Sequence, residues 1–295
     1  MKSIDLFSSY HPIINFLYFA LCIGFTMVFM HPVILVISLL SAFLYGITLN
    51  GRKALLFSLK YMIPVILFTA VINPAFNHQG KTFLAYLPTG NALTAESIVY
   101  GAASGIMLAA VLVWFTCFSA VISSDKFVYL FGRIIPALSL VLSMTLRLVP
   151  KFKRQLHEVC DAQRALGRDV SSGSLWQRTK TAVSVFSVLI TWSLEDSIET
   201  ADSMKSRGYG TKRRTAFSIY TWSKRDSCAL IYLLALGVCV IISSLCGNLF
   251  WRYFPDIRGM TTQIFSVLTY IAFAGICITP IFIDGKEALY WHSLK

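Results

Sequence analysis

Two short segments of related form lie in the basic stretch from Arg147 to Arg225. One is Asp161-Ala-Gln-Arg-Ala-Leu-Gly-Arg168; the other is Ala201-Asp-Ser-Met-Lys-Ser-Arg-Gly-Tyr-Gly210. Each ends a helix-compatible run with a small residue, one further residue, and then glycine. Glycine at that place stops a helix and lets the chain turn sharply. Arg207, directly before Gly208, therefore sits where its side chain can protrude. Its planar, permanently charged fork suits the carboxylates and carbonyls of a partner. A cation at a helix C-terminus also answers the helix dipole or rests against lipid headgroups. Residue types alone leave these readings open.

Other chemistry is absent from the chain. The 14 acidic residues fall outside the apolar runs long enough to cross a bilayer. Ion-coupled transport and intramembrane hydrolysis need ionisable groups at bilayer depth. There is no Gly-x-x-x-x-Gly-Lys-Ser/Thr loop to hold a nucleotide phosphate. The five histidines are dispersed. The seven cysteines (Cys22, Cys117, Cys160, Cys228, Cys239, Cys246, Cys277) form no Cys-x-x-Cys pair, so they read as small hydrophobes rather than as zinc ligands or a disulfide frame. No catalytic residue, metal ligand or cofactor site is expected in this chain, and binding is the chemistry that remains.

The elements that position the two segments follow from hydropathy. With 56% hydrophobic and 14% charged residues, and a mean hydropathy of +0.66, the chain reads as a membrane protein. Apolar runs span Pro12 to Phe29, Pro32 to Leu49, Tyr61 to Ile72, Ile98 to Ile122, Cys228 to Phe250 and Thr261 to Ile283. That is about six transmembrane helices. Gly51-Arg52-Lys53 with Lys60 forms a short basic loop, and Pro64 should kink the third run. Asn73 to Ala95 is a turn-rich loop with Asn73-Pro74, Gly80, Pro88 and Gly90-Asn91. Thr94 and Ser97 open the fourth span. No small-residue cleavage site follows the first apolar run, so a removed signal peptide is not expected.

Charge sets the orientation. Of the 26 Lys and Arg, 15 lie between Arg147 and Arg225, against 7 Asp and Glu. Basic loops stay in the cytoplasm, which places both termini inside and residues 73–95 outside. The net charge of +12 is thus first a matter of topology. Without a basic-aromatic recognition motif, nucleic acid is not an expected partner. The chain divides into a four-span part at 1–122, a cytoplasmic region at 123–225, and a two-span part with a short tail at 226–295. Ile134 to Pro150 and Thr181 to Leu194 are apolar enough to dispute. Letting both span would put Lys151, Lys153, Arg154, Arg164, Arg168 and Arg178 outside, so they read as helices at or beneath the membrane surface. In the second, Val183, Phe186, Ile190, Leu194, Ile198, Ala201 and Met204 recur at steps of three and four, the mark of an amphipathic helix. That stripe could pack on the other central helix or lie in the interface.

Five ordered segments carry a resemblance. They are Asn73-Pro-Ala-Phe-Asn-His-Gln-Gly80, Thr94-Ala-Glu-Ser-Ile-Val-Tyr-Gly101, Arg147-Leu-Val-Pro150, Ala162-Gln-Arg-Ala-Leu-Gly167 and Ser206-Arg-Gly-Tyr-Gly210. Together they resemble the transmembrane (T) component of energy-coupling factor transporters, the cobalt-transport permease family, over nearly the whole chain. The resemblance implies an all-α integral membrane scaffold with long cytoplasmic coupling helices between its fourth and fifth spans. Such a scaffold is a non-catalytic subunit of the cell membrane that docks on two ABC-type ATPase subunits, which bind the ATP. It also grips a substrate-binding membrane (S) component for a vitamin or metal ion such as cobalt. Two Ala-Arg-Gly motifs make the ATPase contacts. The second corresponds to Ser206, Arg207 and Gly208. The first corresponds to Ala165, Leu166 and Gly167, with leucine in the arginine's place; either Arg164 or Arg168 supplies the cation, or that contact rests on packing. Arg147-Leu-Val-Pro150 is expected to mark a corner where the chain leaves the membrane, since the residue before proline disfavours helix. The loop from Asn73 to Gly80 is expected to be structural. The rival readings are a self-contained membrane transporter or enzyme, and a basic scaffold on the membrane surface.

Overall fold

The computed structural model describes residues 6–77, 79–86, 92–132, 136–169, 173–209, 220–259 and 263–293. In chain order the elements are α1 (Pro12–Val28), α2 (Pro32–Phe76), β1 (Phe83–Tyr86), β2 (Ala92–Thr94), α3 (Ala95–Val121), α4 (Ser124–Gly132), α5 (Pro136–Ala165), α6 (Leu175–Ser206), α7 (Lys224–Leu245), β3 (Trp251–Arg252), β4 (Arg258–Gly259) and α8 (Ile264–Ser293). The chain is an all-α membrane protein carrying two antiparallel strand pairs, β1–β2 and β3–β4. Among the described residues four helices are long and apolar enough to cross a bilayer: Pro32–Leu49, Ala95–Val121, Lys224–Leu245 and Ile264–Lys286. Pro12–Val28 and Lys60–Phe76 are shorter apolar helices. The chain forms two compact units, one from Met1–Ser123 with Tyr220–Lys295 and one from Ser124–Ile219.

In the first unit, α1 and α2 start in the same way. His11 and His31 are the N-caps, each followed by proline, and their Nδ1 atoms accept from the backbone N–H of Ile13 and Val33 at 3.3 Å. Proline is pre-set for a first helical position, where its missing N–H costs nothing. With Nδ1 accepting, the His31 proton sits on Nε2 and points at the Tyr270 hydroxyl, 3.1 Å away. Burial alone lowers the pKa of this ring, which favours that neutral form.

The core of this unit is aromatic, with Phe7, Tyr18, Phe19, Tyr45, Trp114 and Phe273 all fully buried. Polar atoms at this depth need partners, because the bilayer offers none. Trp114 Nε1 donates to Ser38 Oγ at 2.9 Å, Ser38 lies 2.6 Å from Thr26 Oγ1, and Thr26 donates to the Cys22 carbonyl at 2.6 Å. This run of hydroxyls joins α3, α2 and α1 with every group satisfied. The second half of α2 meets α3 across two glycines spaced Gly101-x-x-x-Gly105. A Cβ on Gly105 would lie 2.2 Å from Thr69 Oγ1 and 2.9 Å from Ile66 Cα. One on Gly101 would lie 2.9 Å from the Thr69 carbonyl oxygen.

Three local expectations change. The basic segment from Gly51 to Lys60 is helical rather than a loop: α2 departs from helical dihedrals at Gly51 (φ 67°, ψ −166°) and resumes, since Arg, Lys, Ala and Leu are good helix formers. Helix continues through Pro64 and on to Phe76. The 73–95 loop is partly ordered as helix and as the β1–β2 pair; its Pro88 and Gly90-Asn91 lie outside the described residues. No corner forms at Arg147-Leu-Val-Pro150, because α5 runs from Pro136 to Ala165 with Pro150 inside. A proline removes one helical hydrogen bond, and the turns on both sides of Pro150 hold the helix.

Carboxylates tie distant segments together. Glu96, in the first turn of α3, accepts from the Thr82 N–H at 3.1 Å. The Thr94 hydroxyl donates to the Gln79 carbonyl (3.0 Å) and that of Ser97 to the Asn77 carbonyl (2.7 Å), so the end of the 73–80 segment is pinned to the start of α3. Asp284 accepts from the N–H groups of Leu6 and Phe7 at 3.1 and 3.2 Å. Asp226 is 2% exposed and completes a capping box on α7 with Ser223. Its carboxylate also accepts from the His11 N–H at 3.3 Å. Trp222 packs its ring on His11 at 4.8 Å, and the Arg225 guanidinium lies 4.3 Å over Tyr10. Replacing Asp226 with Ala strands buried donors on both segments. We expect a loss of about 2 kcal/mol, seen as a lower melting temperature in detergent, with Asp226→Asn less affected. An unchanged melting temperature for the alanine variant would show that this clamp contributes nothing.

Candidate functional site

The second unit holds both segments singled out in the sequence. Its helices α5 and α6 pack antiparallel. Phe152 meets Trp192 edge-on at 5.4 Å between ring centroids. Val159, Val185 and Leu189 form a small buried cluster with Cys160 beside it. Lys151 pairs with Asp196 and also sits 5.3 Å over the Trp192 ring. The packing face of α6 is therefore Val185, Leu189, Trp192 and Asp196. The stripe expected from periodicity faces away from α5: Val183, Phe186, Ile190, Leu194 and Ile198 are between 45% and 65% exposed. Three carboxylates, Glu195, Glu199 and Asp202, line a shallow groove with Ile198, Ser203 and Ser206.

Each of the two helices ends in the same cap. At α5, Gly167 N–H donates to the Arg164 carbonyl (3.0 Å) and Arg168 N–H to the Gln163 carbonyl (2.9 Å). At α6, Gly208 N–H donates to the Lys205 carbonyl (2.9 Å) and Tyr209 N–H to the Met204 carbonyl (3.0 Å). Both are Schellman motifs, with glycine at φ 74° and 73°, where a side chain would be strained. Helix α7 closes in the same pattern at Gly247, through Gly247 to Ser244 and Asn248 to Ser243. There the flanking residues are Cys246 and Asn248, so the cap itself is a general stop. What sets the α5 and α6 caps apart is the charge mounted on them.

Ala165, Leu166, Gly167 and Arg168 are exposed, as are Ser206 and Arg207. Arg164 is drawn into its own turn, with Nη1 3.8 Å from Asp161 and Nε 3.4 Å from Asp169. Among the described residues Arg168 and Arg207 make no ion pair. Antiparallel pairing sends the two caps to opposite ends of the helix pair. Counting from the Lys151–Asp196 contact at 1.5 Å per residue, they lie about 36 Å apart along the helices. One pair of helices thus presents two cation-bearing ends, with room for a separate partner at each.

The cobalt transport protein family model matches residues 10–217. The chain belongs to the cobalt transport protein family. The family match takes in α1 to α6, including both caps. Among similar proteins is an energy-coupling factor transporter transmembrane protein of Listeria monocytogenes, 28% identical over 218 residues, which cover 67% of this chain and 79% of that one. The corresponding proteins of Lactobacillus helveticus and Bacillus selenitireducens are 36% and 32% identical over 100 and 112 residues. Those matches take 34% and 38% of this chain, and span 36% and 42% of the relatives.

Several residues that organise the fold escaped sequence reasoning. Gly101 and Gly105 carried a readable signal in their small-x-x-x-small spacing. The reach of Asp226 to His11 had none, since its partners are 215 positions apart.

Proposed function

We propose that this chain is the transmembrane scaffold of an ATP-driven energy-coupling factor uptake transporter. Helices α5 and α6 face the cytoplasm, on the side of both termini, as the concentration of Lys and Arg in their region requires. Each exposed cap docks into one of two ABC-type ATPase subunits, and those subunits bind and hydrolyse the ATP. Closure of the ATPase pair pushes on the caps, and the rigid α5–α6 pair carries that movement toward a substrate-binding S component held by the membrane unit. The scaffold is non-catalytic and needs no cofactor of its own. Substrate choice, a vitamin or a metal ion, rests with the S component. The stripe of Val183, Phe186, Ile190, Leu194 and Ile198 is apolar surface of the kind an assembled complex covers.

The observation that carries this reading is the pair of like-built, cation-bearing caps at opposite ends of one helix pair. The test is affinity purification of the tagged chain from its native membrane in mild detergent. Two nucleotide-binding subunits and a small multi-span membrane protein should co-elute. Recovery of the chain alone, or with anionic lipid as its sole companion, would replace the proposal with that of a membrane-surface scaffold.

A further inference from the structure

Because the α5 and α6 caps share one backbone pattern, their residues match position by position. Leu166 stands where Arg207 stands, just before the glycine, and Arg168 stands where Tyr209 stands, just after it. An apolar side chain and a cation therefore flank each glycine, in opposite order: Leu-Gly-Arg closes α5 and Arg-Gly-Tyr closes α6. Leu166 is 72% exposed and Tyr209 45% exposed, so both place apolar surface beside the charge. The remaining cation of the first cap, Arg164, matches Lys205 and lies one turn back in the helix. Its guanidinium is shared between Asp161 and Asp169, an arrangement that braces the turn.

Resting on the docking role proposed above, we infer that Arg168 is the cation by which α5 engages its ATPase partner. Leu166 fills the apolar part of the same groove. The first groove then carries its acidic group where the second has its apolar wall, and the reverse. Arginine needs a matched planar acceptor to repay its desolvation, whereas leucine needs only shape and apolar contact, so the two orders are not interchangeable.

The test uses the full complex isolated by the tagged chain, with the amount of each ATPase per scaffold measured by quantitative mass spectrometry. Arg168→Glu should reduce the retained ATPase at least tenfold, with the melting temperature of the scaffold unchanged because Arg168 is exposed and makes no ion pair among the described residues. Arg164→Gln should retain ATPase within about twofold of the native level. The double variant Leu166→Arg with Arg168→Tyr, which gives α5 the order found on α6, should lose the first contact as Arg168→Glu does. Native retention by Arg168→Glu, or loss in Arg164→Gln instead, overturns the assignment of Arg168. Native retention by the double variant overturns the claim that order matters. Arg207→Glu in the same experiment separates the levels: if it loses ATPase while Arg168→Glu does not, only this inference fails. If neither loses ATPase, the docking role falls with it.

Discussion

Substituting Arg207 with Glu should abolish most transport while leaving the protein folded and inserted. Arg207 is the C-cap of α6, exposed and outside every ion pair of the described residues, so reversing its charge breaks no ion pair among them. Bound to an acidic groove, the guanidinium would make charge-assisted hydrogen bonds in a water-poor contact. Truncating one member of such a pair typically costs about 2–5 kcal/mol, and reversing the sign adds repulsion. At about 1.4 kcal/mol per tenfold, ATPase association should weaken at least thirtyfold, and uptake in cells should fall with it. Arg207→Lys should be intermediate, since it keeps the charge and loses the planar fork. Gly208→Ala should also weaken docking, because alanine at φ 73° strains the turn that presents the arginine. Co-purification with the ATPases and uptake by whole cells are the measurements. Native values of both for Arg207→Glu would remove α6 from the docking interface.

A second large effect is expected inside the membrane, where α2 and α3 come closest. Gly105→Leu has no space to enter: the first added carbon already meets Ile66 Cα at 2.9 Å and Thr69 Oγ1 at 2.2 Å. Thr69 is itself held, its hydroxyl lying 3.0 Å from the carbonyls of Val65 and Ile66. The helices must part, breaking the close contact that small residues allow between spans. Overpacking of this kind costs about 3 kcal/mol, enough to lower the melting temperature markedly and reduce the yield of folded protein. Gly24→Ala is the control, because a Cβ there meets nothing within 4 Å, and it should melt at or above the native temperature. Equal melting of Gly105→Leu and the native chain would mean that α2 and α3 do not approach as closely as described.

Much of the fold was legible because two strong rules act on it. A bilayer demands long apolar helices, and six apolar segments could be read from composition alone. The starts at Pro12 and Pro32 and the stops at Gly167 and Gly208 were readable as well, since proline and glycine impose their backbone geometry wherever they stand. The misjudged segments lay where a local preference met a longer-range demand. Proline before residue 151 argued for a corner, and the long helix around Pro150 overrode it. Gly51 and its basic neighbours read as a loop, yet a single residue's departure was enough to turn the helix.

Sequence by itself determined the membrane class, the grouping of charge in one block, and the two glycine-stopped segments, because each follows from residue type or from neighbours a turn away. Only the tertiary structure decided which face of α6 is spent on packing. Val185, Leu189, Trp192 and Asp196 recur at helical spacing as regularly as the stripe that remains exposed, and the choice between them was made by Phe152, Lys151 and Val159 on another helix. The structure likewise occupied Arg164 and left Arg168 outward, since an ion pair to Asp169 forms only once the chain has turned at Gly167. Periodicity shows that a helix has a face to bury; which face it is depends on what lies opposite.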